Sequence, residues 1–93
     1  MILEWSRTAL VQFADQLEYV AIDSPSASRR LSERVFAAVD YLLDFPEIGR
    51  PGDRRGTREL VVTGTPYIVV YEVEDPTVRI LRVWHTRQDW KRR

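Results

Sequence analysis

The sequence predicts an α+β fold: an N-terminal strand, a helical hairpin, then a three-stranded antiparallel meander, with the helices packed on one face of the sheet. Three observations predict it. Apolar residues recur at helical spacing through the first half and alternate or run together through the second. Pro25 and Pro46 stand where a helix would begin and end. Gly64-Thr65-Pro66 and Glu74-Asp75-Pro76 are turn sequences that divide the second half into short strands. One strand, two helices and three closely spaced strands cannot be wound as repeating βαβ units, which leaves the α+β class.

Each element has its own signal. Met1 to Trp5 is a short apolar strand, and Ser6 offers a side-chain oxygen to cap the helix that follows. That helix carries an apolar stripe at Ala9, Leu10, Phe13, Leu17 and Val20, with Arg7, Gln12, Asp15 and Glu18 in water. Ser24-Pro25 restarts the chain as a second helix, since proline at the first helical position gives up only an N–H that would have no partner. Its stripe is Ala27, Leu31, Val35, Ala38, Leu42 and Phe45, widened by Val39 and Leu43, and Pro46 stops it. Glu47 to Gly56 holds three of the chain's four glycines and reads as an exposed basic loop. Strands follow at Thr57 to Thr63, Tyr67 to Val73 and Thr77 to Trp84; the middle one, apolar on both faces, is the core strand. The sheet face away from the helices is left for function.

The 93 residues suffice for one domain, 1–93, and not for two. A domain so small buries a modest share of its surface, so a permanent protein partner covering apolar area fits it. With no cysteine and a single histidine, neither a disulfide framework nor a thiolate or His-rich metal site is expected, and no cofactor motif is present. No apolar run approaches a membrane span, and Met1-Ile2-Leu3-Glu4-Trp5 does not read as a signal peptide, so the expected location is cytoplasmic, with no membrane partner. Net charge is zero but unevenly spread: residues 1–49 carry four basic and eight acidic side chains, residues 50–93 ten basic and six acidic. Lys91 is the only lysine among fourteen basic residues. Arginine is the side chain whose planar fork grips phosphate or carboxylate, so the second half is the binding half.

The frame Ser24-Pro25, Leu42, Pro46, Gly49-Arg50, Gly56-Thr57-Arg58-Glu59-Leu60, Pro66-Tyr67-Ile68-Val69, Tyr71, Ile80-Leu81-Arg82-Val83 and His85 is similar to the RelE/ParE superfamily of toxins. The resemblance covers nearly the whole chain. It implies the toxin of a type II toxin-antitoxin pair, which arrests growth and is neutralised by a cognate antitoxin that wraps it and binds their operator DNA; the toxin reaches that DNA only through the antitoxin. RelE-like members cut messenger RNA in the ribosomal A site, whereas ParE-like members inhibit DNA gyrase without known hydrolytic chemistry.

A metal-free RNA cleavage site needs a base, an acid and positive charge on the phosphate. For a nuclease, the resemblance nominates Arg58 and Arg82 for the phosphate, and His85, whose side-chain type ionises near neutral pH, for proton transfer. The lysine pair of several RelE-like members is missing, and His85-Thr86-Arg87-Gln88-Asp89 resembles ParE-like members at least as well. Alternation along the last strand should send Arg82 and His85 to opposite faces unless a bulge or the strand's end intervenes. Gyrase inhibition is therefore the expected activity, with mRNA cleavage as alternative and a non-catalytic nucleic-acid-binding module as second alternative. Arg50, Arg54, Arg55, Arg87, Trp90 and Lys91 are the target-binding residues expected, while a bland reading gives Arg58 to an ion pair with Glu59 and His85 to a structural role. Trp84 reads as packing.

Overall fold

The structure is a computed structural model that describes residues 1–86. In chain order the elements are β1 (Ile2–Trp5), α1 (Arg7–Asp23), α2 (Pro25–Asp44), β2 (Arg50–Pro51), β3 (Thr57–Val61), β4 (Tyr67–Glu74) and β5 (Thr77–His85). The helices pack on one face of a mixed five-stranded sheet of order β1-β5-β4-β3-β2. β1 returns parallel to β5 with Ile2 opposite Thr77, and the other neighbours are antiparallel.

The helical hairpin forms for the expected local reasons. The Ser6 hydroxyl accepts from Ala9 N at 3.0 Å and caps α1. Ser24 serves both helices: its N–H donates to Val20 O, closing α1, and its hydroxyl accepts from Ala27 N, opening α2 at Pro25. A one-residue connection sets the helices antiparallel, and Ser28 Oγ donates across to Leu17 O at 2.8 Å. Ala9 and Phe13 from α1 and Val35, Val39 and Leu42 from α2 meet Tyr67, Val69, Tyr71, Val78, Ile80 and Val83 of the sheet in one core. Burial of each larger aliphatic side chain there contributes about 1.5–3 kcal/mol.

Four readings are corrected. The stretch from Glu47 to Gly56 is not all loop, because Arg50–Pro51 pairs with Glu59 and Arg58 as the edge strand β2. Proline is tolerated there since an edge strand needs ladder hydrogen bonds on one side only. Leu10 and Phe45, placed on the apolar stripes, are about half exposed (52% and 50%), Phe45 lying past the end of α2 against the Tyr41 ring. Gln12, assigned to water, reaches the sheet and accepts from Val83 N at 3.0 Å. β5 continues through His85, a residue beyond the strand end read from the sequence. β4 is indeed the central strand, buried from Tyr67 to Tyr71 on both faces.

Candidate functional site

The arrangement of the basic residues follows from one irregularity in β5. Tyr71 is opposite Ile80, but Val70 is opposite Arg82, so Leu81 is an extra residue, a β-bulge. Before it, Val78 and Ile80 face the helices; after it, Val83 does. Regular alternation from Ile80 would have turned Arg82 and Trp84 into the helix side. The bulge resets the phase and places them on the open face, in the rows Glu59–Val70–Arg82 and Val61–Ile68–Trp84.

That bulge answers the question left by the sequence. It precedes Arg82 and does not separate it from His85: Val83, Trp84 and His85 pair in unbroken register with Val69, Ile68 and Tyr67. Arg82 and His85 therefore remain on opposite faces. His85 shares the helix side with Tyr67, ring centroids 5.9 Å apart, and lines a cleft with Asp15, Gln16 and Tyr19 of α1.

Arg58 is also on the helix side, in register with Tyr71 beyond the end of α2. Its Nη1 donates to Gly49 O at 2.8 Å and Glu47 O at 3.2 Å. The buried Tyr71 hydroxyl completes the same clamp, donating to Pro46 O at 2.8 Å and accepting from Gly49 N at 2.9 Å. Burial pushes the Tyr71 phenol up from its ordinary pKa, partly offset by the Gly49 N–H and the Arg58 charge. Gly49 is required by close approach, because a Cβ would lie 2.6 Å from the Tyr71 hydroxyl and 2.9 Å from Glu59 O. By strand spacing alone, the Cα atoms of Arg58 and His85 lie roughly 17 Å apart, four residues along and two strands across. Arg58, Arg82 and His85 do not converge.

The Arg58–Glu59 ion pair of the bland reading does not form, since neighbours on a strand point to opposite faces. Glu59, 6% exposed, is instead held on the open face by Arg50, whose Nε and Nη2 donate to Oε1 at 3.2 and 3.0 Å. β2 thus carries Arg50 into the sheet, and the turn after it leaves Arg54 and Arg55 exposed. Between this turn and the start of α1 the open face holds a cleft of about 600 Å³ lined by Thr8, Arg54, Leu81, Arg82 and Trp84 among others. The Arg82 guanidinium lies 5.6 Å from the Trp84 ring centroid, a cation–π contact that orients it. Further along the face, Arg79 bridges Glu72 and Glu4 at 2.8 and 3.2 Å, and those carboxylates, Glu72 foremost, raise its already high pKa. Arg82 and Arg54 thus meet on one cleft; Arg87, Trp90 and Lys91 lie outside the described residues. Among the described residues no group of three His, Asp or Glu is placed to hold a metal, and no helix is long and apolar enough to cross a membrane.

Sequence reasoning missed the contacts that Gln12 and Ser6 make with β5. From α1 and its cap they bracket the bulge, Ser6 Oγ donating to Leu81 O at 2.9 Å and Gln12 Oε1 accepting from Val83 N. The sequence marks Ser6 only as a helix cap, and the only signal at Gln12 is polar character near the start of an amphipathic helix, which ordinarily means solvent.

Residues 3–90 match the family model described as the ParE toxin of the type II toxin-antitoxin system, parDE. Y4kP of Sinorhizobium fredii, a protein named as a toxin, is 39% identical over 88 residues, which are 95% of this chain and 91% of the relative. The toxin RelE2 of Caulobacter vibrioides is 37% identical over 87% of this chain and 90% of its own. Among solved structures, a chain of the chromosomal ParDE system from P. aeruginosa shares the fold with TM-score 0.80 at 24% identity, covering 91% of this chain and 95% of that one. The isolated E. coli RelE toxin aligns with TM-score 0.59 at 16% identity, over 98% and 96% of the two chains.

Proposed function

The chain belongs to the ParE toxin family of type II toxin-antitoxin systems, and from that premise we propose that it arrests growth by inhibiting DNA gyrase, without cutting RNA. A member of such a system is paired with a cognate antitoxin that holds it inactive. The observation carrying the gyrase reading is the separation of Arg58, Arg82 and His85. Arg82 is on the open face, His85 on the helix face, and Arg58 is committed to the carbonyls of Glu47 and Gly49. A ribonuclease would need phosphate-binding charge and a proton donor or acceptor within hydrogen-bond reach of one phosphodiester. Binding a protein target asks only for a preorganised surface, which the open face supplies through Arg50, Arg54, Arg55, Arg82 and Trp84; Arg87, Trp90 and Lys91 complete the proposed contact set.

The rival reading is ribosome-dependent mRNA cleavage, and what favours it is the arginine and aromatic content of the cleft around Arg82 and Trp84. The two part in one experiment. The chain is expressed without its antitoxin, and plasmid supercoiling, the SOS response and transcript integrity are followed together with growth. Gyrase inhibition predicts relaxed plasmid and SOS induction before any change in transcripts, and purified chain should block supercoiling by purified gyrase. Transcripts cut within codons while supercoiling stays normal would overturn the proposal. Unimpaired growth would leave only the non-catalytic nucleic-acid-binding reading.

A further inference from the structure

We propose that Gln12 is a positioning residue for the toxic surface: it fastens the bulged part of β5 so that Arg82 is held over the open-face cleft. The inference rests on the reading that this face contacts the target. Past Trp5 the chain leaves the sheet for α1, so the outer edge of β5 loses its neighbour where the bulge begins. On that edge two main-chain groups, the Leu81 carbonyl and the Val83 N–H on either side of Arg82, are met by side chains. The carbonyl receives the Ser6 hydroxyl, and the N–H is taken by Gln12 Oε1 at 3.0 Å.

A bulge is where a ladder specifies conformation least, and a one-residue slip here would exchange Arg82 and Trp84 with Val83 and His85 between the two faces. Gln12 resists that slip because it accepts from the residue that must stay in the core. Val83 is 1% exposed, so its N–H has no ready alternative in water. Ser6 already serves as the cap of α1, whereas the hydrogen bond of Gln12 among the described residues is to β5. A hydrogen-bond acceptor is what the position requires, and charge is not.

The test compares Gln12→Met, which keeps length without an acceptor, with Gln12→Glu, which keeps an acceptor. Each is made in the full chain, alone and with Arg82→Ala. Two quantities are read: amide exchange at Val83, with Val69 and Val78 as controls, and the cellular toxin level giving half-maximal growth arrest. Gln12→Met should speed Val83 exchange about tenfold, as expected for a lost hydrogen bond, and raise the arresting level about tenfold, with the controls protected. Gln12→Glu should stay near wild type, and adding Gln12→Met to Arg82→Ala should cost nothing more.

Wild-type potency of Gln12→Met, losses that multiply in the double variant, or collapse of protection at Val69 and Val78 would each overturn the assignment. So would full toxicity of Arg82→Ala, which would remove the surface through which Gln12 acts. Because growth arrest is read without regard to its cause, a wild-type culture with intact supercoiling and cut transcripts would sink the gyrase reading while leaving the Gln12 comparison valid.

Discussion

Tyr71→Phe removes a single oxygen and should have the largest effect of any such change in the sheet. That oxygen donates to Pro46 O and accepts from Gly49 N, and Tyr71 is fully buried, so the variant leaves a carbonyl and an N–H short of partners. An unmet buried group costs about 1–3 kcal/mol, and the gain from no longer burying a hydroxyl returns part of it, giving a net loss of about 2 kcal/mol. For a domain of this size each kcal/mol lowers Tm by about 4–8 °C, so Tm should fall by about 10 °C. Arg58→Met acts on the same residue, Gly49, through its carbonyl and should cost about 1 kcal/mol, less because the guanidinium is partly in solvent. Because both hold Gly49, one by its N–H and the other by its carbonyl, the two changes should couple by at least about 0.5 kcal/mol in a double-mutant cycle. Urea unfolding of chain purified away from its antitoxin measures all of this, with the slope expected to stay constant. A Tyr71→Phe midpoint indistinguishable from wild type, or strict additivity with Arg58→Met, would refute the clamp. Arg58→Met with unchanged stability and abolished toxicity would return Arg58 to the target surface.

Gly49→Ala should destabilise by about 1–3 kcal/mol through overpacking against Tyr71 and the Glu59 carbonyl, read as a lowered Tm. Glu59→Gln should cost about 1 kcal/mol because Arg50 is 55% exposed and its pairing is screened, whereas Arg50→Met with Glu59→Leu should unfold close to wild type in urea. Burial raises the phenols of Tyr67 and Tyr71 above their usual value of 10.0, so the native state keeps protons that the unfolded chain releases. Their contribution is therefore complete below pH about 10 and is lost as pH rises from there through the native values, at up to about 1.4 kcal/mol per pH unit for each tyrosine. Melting temperatures between pH 8 and 11 should fall steeply in wild type and less steeply in Tyr71→Phe; equal slopes would show that Tyr71 does not titrate with unfolding.

Most of the fold could be read from local chemistry. Ser6, Ser24, Pro25 and Pro46 mark helix ends through hydrogen bonds and ring constraints that act within a few residues, and the structure places the ends at or beside them. The period of the apolar residues distinguishes helix from strand in the same local way. β2 escaped notice because two residues with a proline have no period to read, and their pairing depends on Glu59 being in register nine residues later. Gln12 escaped because polarity at a helical position shows no difference between water and a strand edge.

The candidate site shows the same division. That arginines gather in the second half, and that the chain is of the RelE/ParE kind, is written in residue order and needs no folding to be seen. Which arginines share a surface is decided by a parity along β5, and parity is a tertiary quantity. Leu81 opposite no residue of β4 sends Arg82 to the open face, while Arg58 and His85 stay on the helix side and far apart. No spacing rule could have announced that bulge, because the groups that secure it, Ser6 and Gln12, lie about 70 residues away along the chain and meet β5 only once α1 is packed on the sheet.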